Sequence, residues 1–298
     1  MKHAYMIIAH NEFDILEKQL RLLDDPRNDF YIHIDKKVKD FPFDTFHRFL
    51  KHSKVRYVQR QDIRWGDFSQ IQCELTLLKA ATKGNYDYYH LLSGVDLPLK
   101  SNDEIDAFFA ANAGKEFVHF CNIEEKHHLS DRIDRFHWMR LGNTKLHRVA
   151  RRVLDIVSRN LYKLGYRRNR DIVPKLGFGA NWFSITHELA GYVLCQEKWI
   201  KGHFRWTACT DELFLQTIIV NTEQEHRLYW PQKDNDYRAN MRMIDWSRGN
   251  GANPWTYRME DYEMLIDAPF LWARKFSTRV DRQIIDAVYH YVLTKNMK

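Results

Sequence analysis

Ala4-Tyr5-Met6-Ile7-Ile8-Ala9 is an unbroken apolar run, followed by the polar turn His10-Asn11-Glu12 and then by Ile15, Leu16, Leu20 and Leu23 at helical spacing. A short apolar run bounded by turn residues reads as a strand buried on both faces. Asp24-Asp25-Pro26 stops the helix, because proline cannot continue it. The pattern then repeats. Phe30-Tyr31-Ile32-His33-Ile34 is a second strand ending at Asp35, and Val55-Arg56-Tyr57-Val58 is a third. A helix is predicted over residues 69–81, a fourth strand over 86–92, a short helix over 102–110 and another strand at Phe117-Val118-His119-Phe120. Strands alternating with helices predict an α/β fold, with a mostly parallel, twisted sheet flanked by helices. Ligands of such sheets bind at the carboxyl ends of the strands. His10, Asp35, Trp65 and residues 93–96 fall at or near those ends.

Residues 122–175 differ, being polar and rich in Arg, His and Lys. Within them, residues 145–170 carry Val149, Val153, Ile156, Val157, Leu161 and Leu164 at helical spacing, with a strongly basic opposite face. This amphipathic segment has two readings: a surface helix that packs its apolar stripe on the core, or a helix whose basic face meets an anionic membrane. Next comes a glycine-rich turn entering a buried strand, Gly177-Phe178-Gly179-Ala180-Asn181-Trp182-Phe183-Ser184-Ile185-Thr186. Further on, Thr210-Asp211-Glu212 reads as a helix start, with Thr210 as N-cap and two acids at the positive end of the helix dipole. Either these acids are solvated, or one of them is a general base held beside a cleft. Arg227-Leu228-Tyr229-Trp230 and residues 241–246 read as strands, and residues 280–293 as a closing helix.

The 298 residues are 44% hydrophobic, enough for a sizeable core, and carry a formal net charge of +7. A basic surface suits an anionic partner such as a nucleotide, a phosphate or a lipid head group. Nine Trp and fifteen Tyr supply faces on which sugars or bases can stack, as well as core packing. Cys73, Cys121, Cys195 and Cys209 form no C-x-x-C pair. They fit a reducing compartment, with Cys73 and Cys195 expected to be buried in helices. Residues 1–10 lack a signal pattern, so a cytoplasmic protein is expected, peripheral on the inner face of the membrane if the basic helix docks there. No linker, repeat or low-complexity tract divides residues 1–298, which reads as a single domain. The chain has no P-loop, dinucleotide fingerprint, G-x-S-x-G elbow or H-E-x-x-H. The strand ending near Leu92 offers Asp96 but no Asp-x-Asp for a divalent cation, and Asp234-Asn235-Asp236 reads as a turn. No nucleic-acid-binding motif accompanies the charge.

Taken in order, Tyr5-Met6-Ile7-Ile8-Ala9-His10, Tyr31-Ile32-His33-Ile34-Asp35-Lys36-Lys37, Arg64-Trp65-Gly66 and Leu91-Leu92-Ser93-Gly94-Val95-Asp96-Leu97-Pro98-Leu99-Lys100 resemble one family. Asn181-Trp182-Phe183, Thr210-Asp211-Glu212, Ile244-Asp245-Trp246 and residues 270–276 extend the resemblance over nearly the whole chain. It is the core-2/I-branching β-1,6-N-acetylglucosaminyltransferases and peptide xylosyltransferases, glycosyltransferase family 14. The resemblance implies a GT-A fold, inversion at the anomeric carbon, a UDP-sugar donor, a saccharide acceptor and no divalent metal or other cofactor. It implies a nucleotide-binding half over residues 1–120 and an acceptor-binding, catalytic half over 121–298, with residues 122–175 as a basic helical insert.

Carried over by position, Glu212 matches the catalytic base, and Arg258 and Lys275 match the basic pair that offsets charge on the leaving diphosphate. Ala9, His10, Asp35 and Trp65 match the nucleotide pocket. Ser93, Asp96, Asp211, Asp245 and Trp246 match positions around the donor and acceptor sugars. Taken singly, Asp35 also reads as a turn residue, His10, Trp65 and Trp246 as core, Asp245 as a loop cap, and Arg258 and Lys275 as surface cations. The compact form is similar to bacterial members, which implies surface polysaccharide assembly. The donor expected is UDP-N-acetylglucosamine, with xylose, glucuronic acid or another hexose as the alternative. A non-catalytic carbohydrate- or nucleotide-binding module is the rival of a different class.

Overall fold

The structure, a computed structural model, describes residues 1–122, 129–138, 144–168, 175–251 and 253–297. The strands are β1 (His3–Ala9), β2 (Asn28–Ile34), β3 (Val55–Tyr57), β4 (Tyr88–Ser93), β5 (Leu97–Pro98), β6 (Phe117–Val118), β7 (Phe183–Thr186), β8 (Arg242–Ile244) and β9 (Trp272–Arg274). The helices are α1 (Phe13–Leu22), α2 (Ser69–Ala81), α3 (Asn102–Ala111), α4 (Leu129–Asp134), α5 (Lys145–Lys163), α6 (His187–Cys195), α7 (Glu197–Phe204), α8 (Phe214–Val220), α9 (Tyr262–Asp267) and α10 (Arg282–Asn296).

Six strands form the main sheet in the order β3-β2-β1-β4-β7-β6. The pairings β1–β2, β1–β4 and β2–β3 are parallel, and β4–β7 and β6–β7 are antiparallel. Successive side chains of a strand point to opposite faces, and β1 is apolar on both. Ala4 and Met6 pack into the core under α2, α6 and α8, while Tyr5, Ile7 and Ala9 pack into the core under α1 and α3. A second sheet, β5-β9-β8, lies with α9 and α10 over the other side of α1, where Ile15 and Leu22 are buried. The α/β architecture, a mostly parallel mixed sheet flanked by helices, is the one the strand–helix alternation predicts.

The two sheets are joined by a buried cation. Arg242 of β8 donates from Nη2 to the carbonyls of Leu91 and Phe183, at 3.1 and 2.6 Å, and its guanidinium lies 4.9 Å from the centre of the Trp272 ring. Burial lowers its pKa to about 9. The glycine-rich turn is a close approach of backbones. A Cβ on Gly177 would lie 2.4 Å from the carbonyl carbon of Gln216, and one on Gly179 would lie 1.9 Å from the carbonyl oxygen of His119.

Four expectations are corrected. Thr210 is not an N-cap: Cys209 sits at φ 48° ahead of a 3-10 turn spanning Thr210–Glu212, and α8 starts only at Phe214. Residues 227–230 are not a strand but make a single bridge between Leu228 and Glu116, with Tyr229 stacked on Phe117 at 4.6 Å. Cys195 is exposed although it ends a helix. The basic helix stops at Lys163, because Gly165 takes φ +88° two residues later and supplies the left-handed C-terminal turn. Its apolar stripe is exposed rather than packed on the core. Residues 169 and 170 of the expected segment lie outside the described residues, as does Ala252 of the loop before Trp255.

The substitution Gly179→Ala tests the close approach. The His119 backbone cannot yield cheaply, so urea denaturation should show a loss of about 1–3 kcal/mol or more. A variant as stable as the wild type would contradict the packing described.

Candidate active site

Strand order runs from β1 to β2 and β3 on one side, then returns to β4 on the other, so the switch point lies between the carboxyl ends of β1 and β4. The gap is closed tightly. Gly94 N donates to the Ile8 carbonyl at 2.9 Å, and a Cβ on Gly94 would lie 2.7 Å from that of Ala9. Asp35 N donates to the Ala9 carbonyl at 2.9 Å. Ala9, His10, Asp35 and Ser93 therefore share one edge. His10 is exposed, and Asp35 is buried with its carboxylate turned to Lys37, accepting from the Lys37 amide at 2.8 Å with Nζ at 3.4 Å. Arg60, which the sequence did not single out, donates to the carbonyls of Ile34 and Asp35 at 3.1 and 2.8 Å and shapes the turn after β2.

Trp65 is 77% exposed, so it is not a core residue. Its loop is tied to the acidic pair. Cys209 N donates to the Gly66 carbonyl at 2.9 Å. Gln70 accepts from Gly66 N and donates to Asp211 Oδ2 at 2.7 Å. Asp211 is buried, and its carboxyl is pushed up to about 7 by that burial and then by the charge of Glu212. Beneath it, the fully buried Glu74 of α2 is raised well above the carboxylate range by burial and by Asp211. Asp211 is therefore a buried carboxyl anchored by Gln70.

Glu212 is held at both ends. Gly179 N donates to its carbonyl at 2.9 Å, and Arg132 of α4 donates to Oε2, also at 2.9 Å. Its side chain remains 38% exposed. Among the described residues no other group donates to that carboxylate. Arg132 lies in the polar stretch whose spacing carries no signal, so sequence reasoning missed it.

The cationic side is built around Asp96. Its oxygens accept from Ser93 N at 2.9 Å and Ser93 Oγ at 2.8 Å, and Arg274 Nε lies 3.5 Å away. Burial raises the Asp96 pKa, with Arg274 opposing. Asp96, like Asp211, is thus an anchored carboxyl. Arg274, also missed, lies 4.1 Å from the centre of the Trp182 ring. Next to it, Lys275 Nζ donates to Asn253 Oδ1 at 3.0 Å, and burial followed by the Arg274 charge lowers its pKa. The exposed Arg258 lies over Trp255 at 5.3 Å, and the Trp255 carbonyl accepts from Lys275 N at 3.5 Å.

Trp246 is 45% exposed and neighbours Tyr237, which also feels the charges of Glu212 and Arg274. Tyr237 thus links the acidic and cationic sides. Asp245 caps its loop: against a burial that would raise it, hydrogen bonds from Ser247 and Arg248 hold its carboxyl at about 2. Asp234 accepts from Trp230 Nε1 and from Asp236 N within a turn. Among the described residues no three His, Cys, Asp or Glu side chains gather as a metal ligand set. A separate cleft of about 420 Å³, lined by residues that include Asp131, Trp138, Arg151 and Arg159, lies between α4 and α5 and shares no residue with the groups above.

Comparison with known proteins identifies the family of the chain. The family described as "Branch: Core-2/I-Branching enzyme" matches residues 3–265. Xylosyltransferase 2 of Rattus norvegicus is 24% identical over 306 residues, covering 95% of this chain and 33% of its own length. Xylosyltransferase 2 of Homo sapiens is 23% identical, again over 95% of the chain and 33% of its own length. Human Xylosyltransferase 1 is 21% identical over 97% of the chain and 30% of its own length. The chain thus spans about a third of the length of these relatives. With the match running from β1 into α9, the chain belongs to the core-2/I-branching enzyme family of glycosyltransferases, family 14.

Proposed function

We propose that the chain transfers a sugar from a UDP-sugar to a saccharide hydroxyl with inversion, and that N-acetylglucosamine in β-linkage is the sugar moved. The observation that carries this reading is Glu212, an acid fixed by Gly179 and Arg132 yet still open to solvent at the sheet's carboxyl side. In the proposed step the acceptor hydroxyl gives its proton to Glu212. Its oxygen attacks the anomeric carbon from the face opposite the diphosphate, the bond from that carbon to the diphosphate oxygen breaks, and UDP leaves. Arg132 holds Oε2 in place, and the other oxygen takes the proton. A positioned carboxylate of this kind contributes by general base catalysis.

Charge developing on the diphosphate is met by Lys275 and Arg258, acting as preorganised cations in place of a divalent metal. Lys275 suits this role because its partial burial and the adjacent Arg274 make an anion welcome beside it. Ala9, His10, Asp35 and Trp65 would bound the nucleotide, and Trp246 offers an exposed ring for an acceptor sugar. Xylose is the second reading for the donor, favoured by the names of the relatives. A panel of UDP-sugars, assayed by UDP release with and without the acceptor, separates the two. Release from no member of the panel would leave the non-catalytic binding module in its place.

Glu212→Gln keeps the shape and removes the proton acceptor. Its kcat should fall by roughly 10² to 10⁴ with UDP affinity near that of the wild type. Turnover close to wild type would sink the assignment. Activity should survive EDTA, and Lys275→Ala should weaken UDP by about tenfold or more while leaving uridine binding nearly unchanged, since only the former carries the diphosphate. An absolute requirement for Mn²⁺ or Mg²⁺ would remove the cationic account.

A further inference from the structure

Helix α5 presents an apolar stripe to solvent. Leu146, Val149, Val153 and Ile156 are 75%, 57%, 53% and 58% exposed, and Leu164, just past the end of the helix, is 84% exposed. The attachment of the helix is on its other side. Ser158 is its one buried residue, accepting from Phe136 N and donating to the Phe136 carbonyl, both at 3.0 Å. At 3.6 residues per turn, Val149, Val153 and Ile156 lie about 140–180° round the helix from Ser158. Along one edge of the stripe run Lys145, Arg148, Arg152, Arg159 and Lys163, all exposed and without an ion-pair partner among the described residues. Asp155 is the only acid in the helix.

Exposed apolar side chains bordered by unpaired cations are the two features an anionic bilayer surface satisfies together, the first by burial at the headgroup boundary and the second by attraction to lipid phosphates. A second copy of the chain would bury the stripe too, but it would bring a second row of cations against the first with one acid per helix to offset it. At 19 residues, α5 presents a face about 28 Å long. No helix of the described residues is long and apolar enough to cross a membrane, so the geometry fits a helix lying on the surface. We infer that α5 is a membrane-docking helix for an anionic leaflet, lying in its plane with Val149, Val153 and Ile156 inserted and the Lys and Arg edge at the phosphates. The inference is independent of the reaction proposed above. It bears on where that reaction occurs, because the segment that receives Ser158 follows α4, which carries Arg132.

The test is co-sedimentation of the full chain with vesicles of phosphatidylcholine alone and of phosphatidylcholine mixed with phosphatidylglycerol. The wild type should pellet with the mixed vesicles, much less with the neutral ones, and less as salt rises. Arg152→Glu/Arg159→Glu should weaken binding by at least about tenfold, and Val153→Ser/Ile156→Ser should weaken it at every salt concentration. These side chains face solvent, so circular dichroism and UDP release should match the wild type. Absence of binding to the mixed vesicles, or binding indifferent to both double variants, would overturn the inference. So would a concentration-dependent dimer in light scattering that Val153→Ser/Ile156→Ser abolishes, which would assign the stripe to a second copy.

Discussion

The site depends on one charge pair, the buried Asp96 with the half-buried Arg274, 3.5 Å apart. Asp96 belongs to the loop after β4 and Arg274 to the end of β9, so the pair ties the carboxyl edge of the main sheet to the second sheet. A pair of this kind contributes little net stability, because desolvation offsets much of its attraction. Loss of one partner is costly, since it leaves a buried charge uncompensated. Its value here is geometric. Ser93 and Asp96 lock the turn at the switch point, Arg274 is fixed between Asp96 and the Trp182 ring, and Lys275 follows by one residue. The buried Arg242 performs the same joining further inside, through the carbonyls of β4 and β7.

Much of this was legible in the sequence because it rests on period. β1 is apolar on both faces, so its run is unbroken, and α2 occupies residues 69–81 as its spacing predicts. Residues at strand ends were legible as a group for the same reason. The role of each acid was not. Asp96, Asp211 and Asp245 match sugar-side positions alike, and their partners Ser93, Gln70 and Arg248, which hold each of them in place, could not be read from spacing. Arg132 and Arg274 were invisible because their meaning lies in what they touch across the chain. Residues 227–230 have strand composition, but their side chains are held by packing and a single bridge rather than by a ladder. Amphipathic spacing revealed the two faces of α5, and no spacing rule says which face the body of the protein takes.

The acids around Glu212 form a graded set. Glu74 is fully buried and raised, Asp211 is buried and raised to about 7, and Glu212 is open and paired with Arg132. Burying two carboxyl groups behind a third favours their neutral forms. The one acid of the three left open to solvent is then also the one paired with a guanidinium. This ordering is set by the turn at Cys209–Glu212, where the left-handed Cys209 aims Asp211 inward to Gln70 and leaves Glu212 toward solvent. It gives a physical reason for two adjacent acids in unlike surroundings.

The central claim is that the nucleotide lies at the switch point, between the ends of β1 and β4, with its diphosphate against Lys275. The position of UDP in a crystal of the chain grown with EDTA tests this most directly. The account predicts a uracil ring beside Asp35 and Trp65, and a diphosphate within hydrogen-bond reach of Lys275. Nucleotide bound in the cleft between α4 and α5, or a diphosphate remote from Lys275, would contradict it.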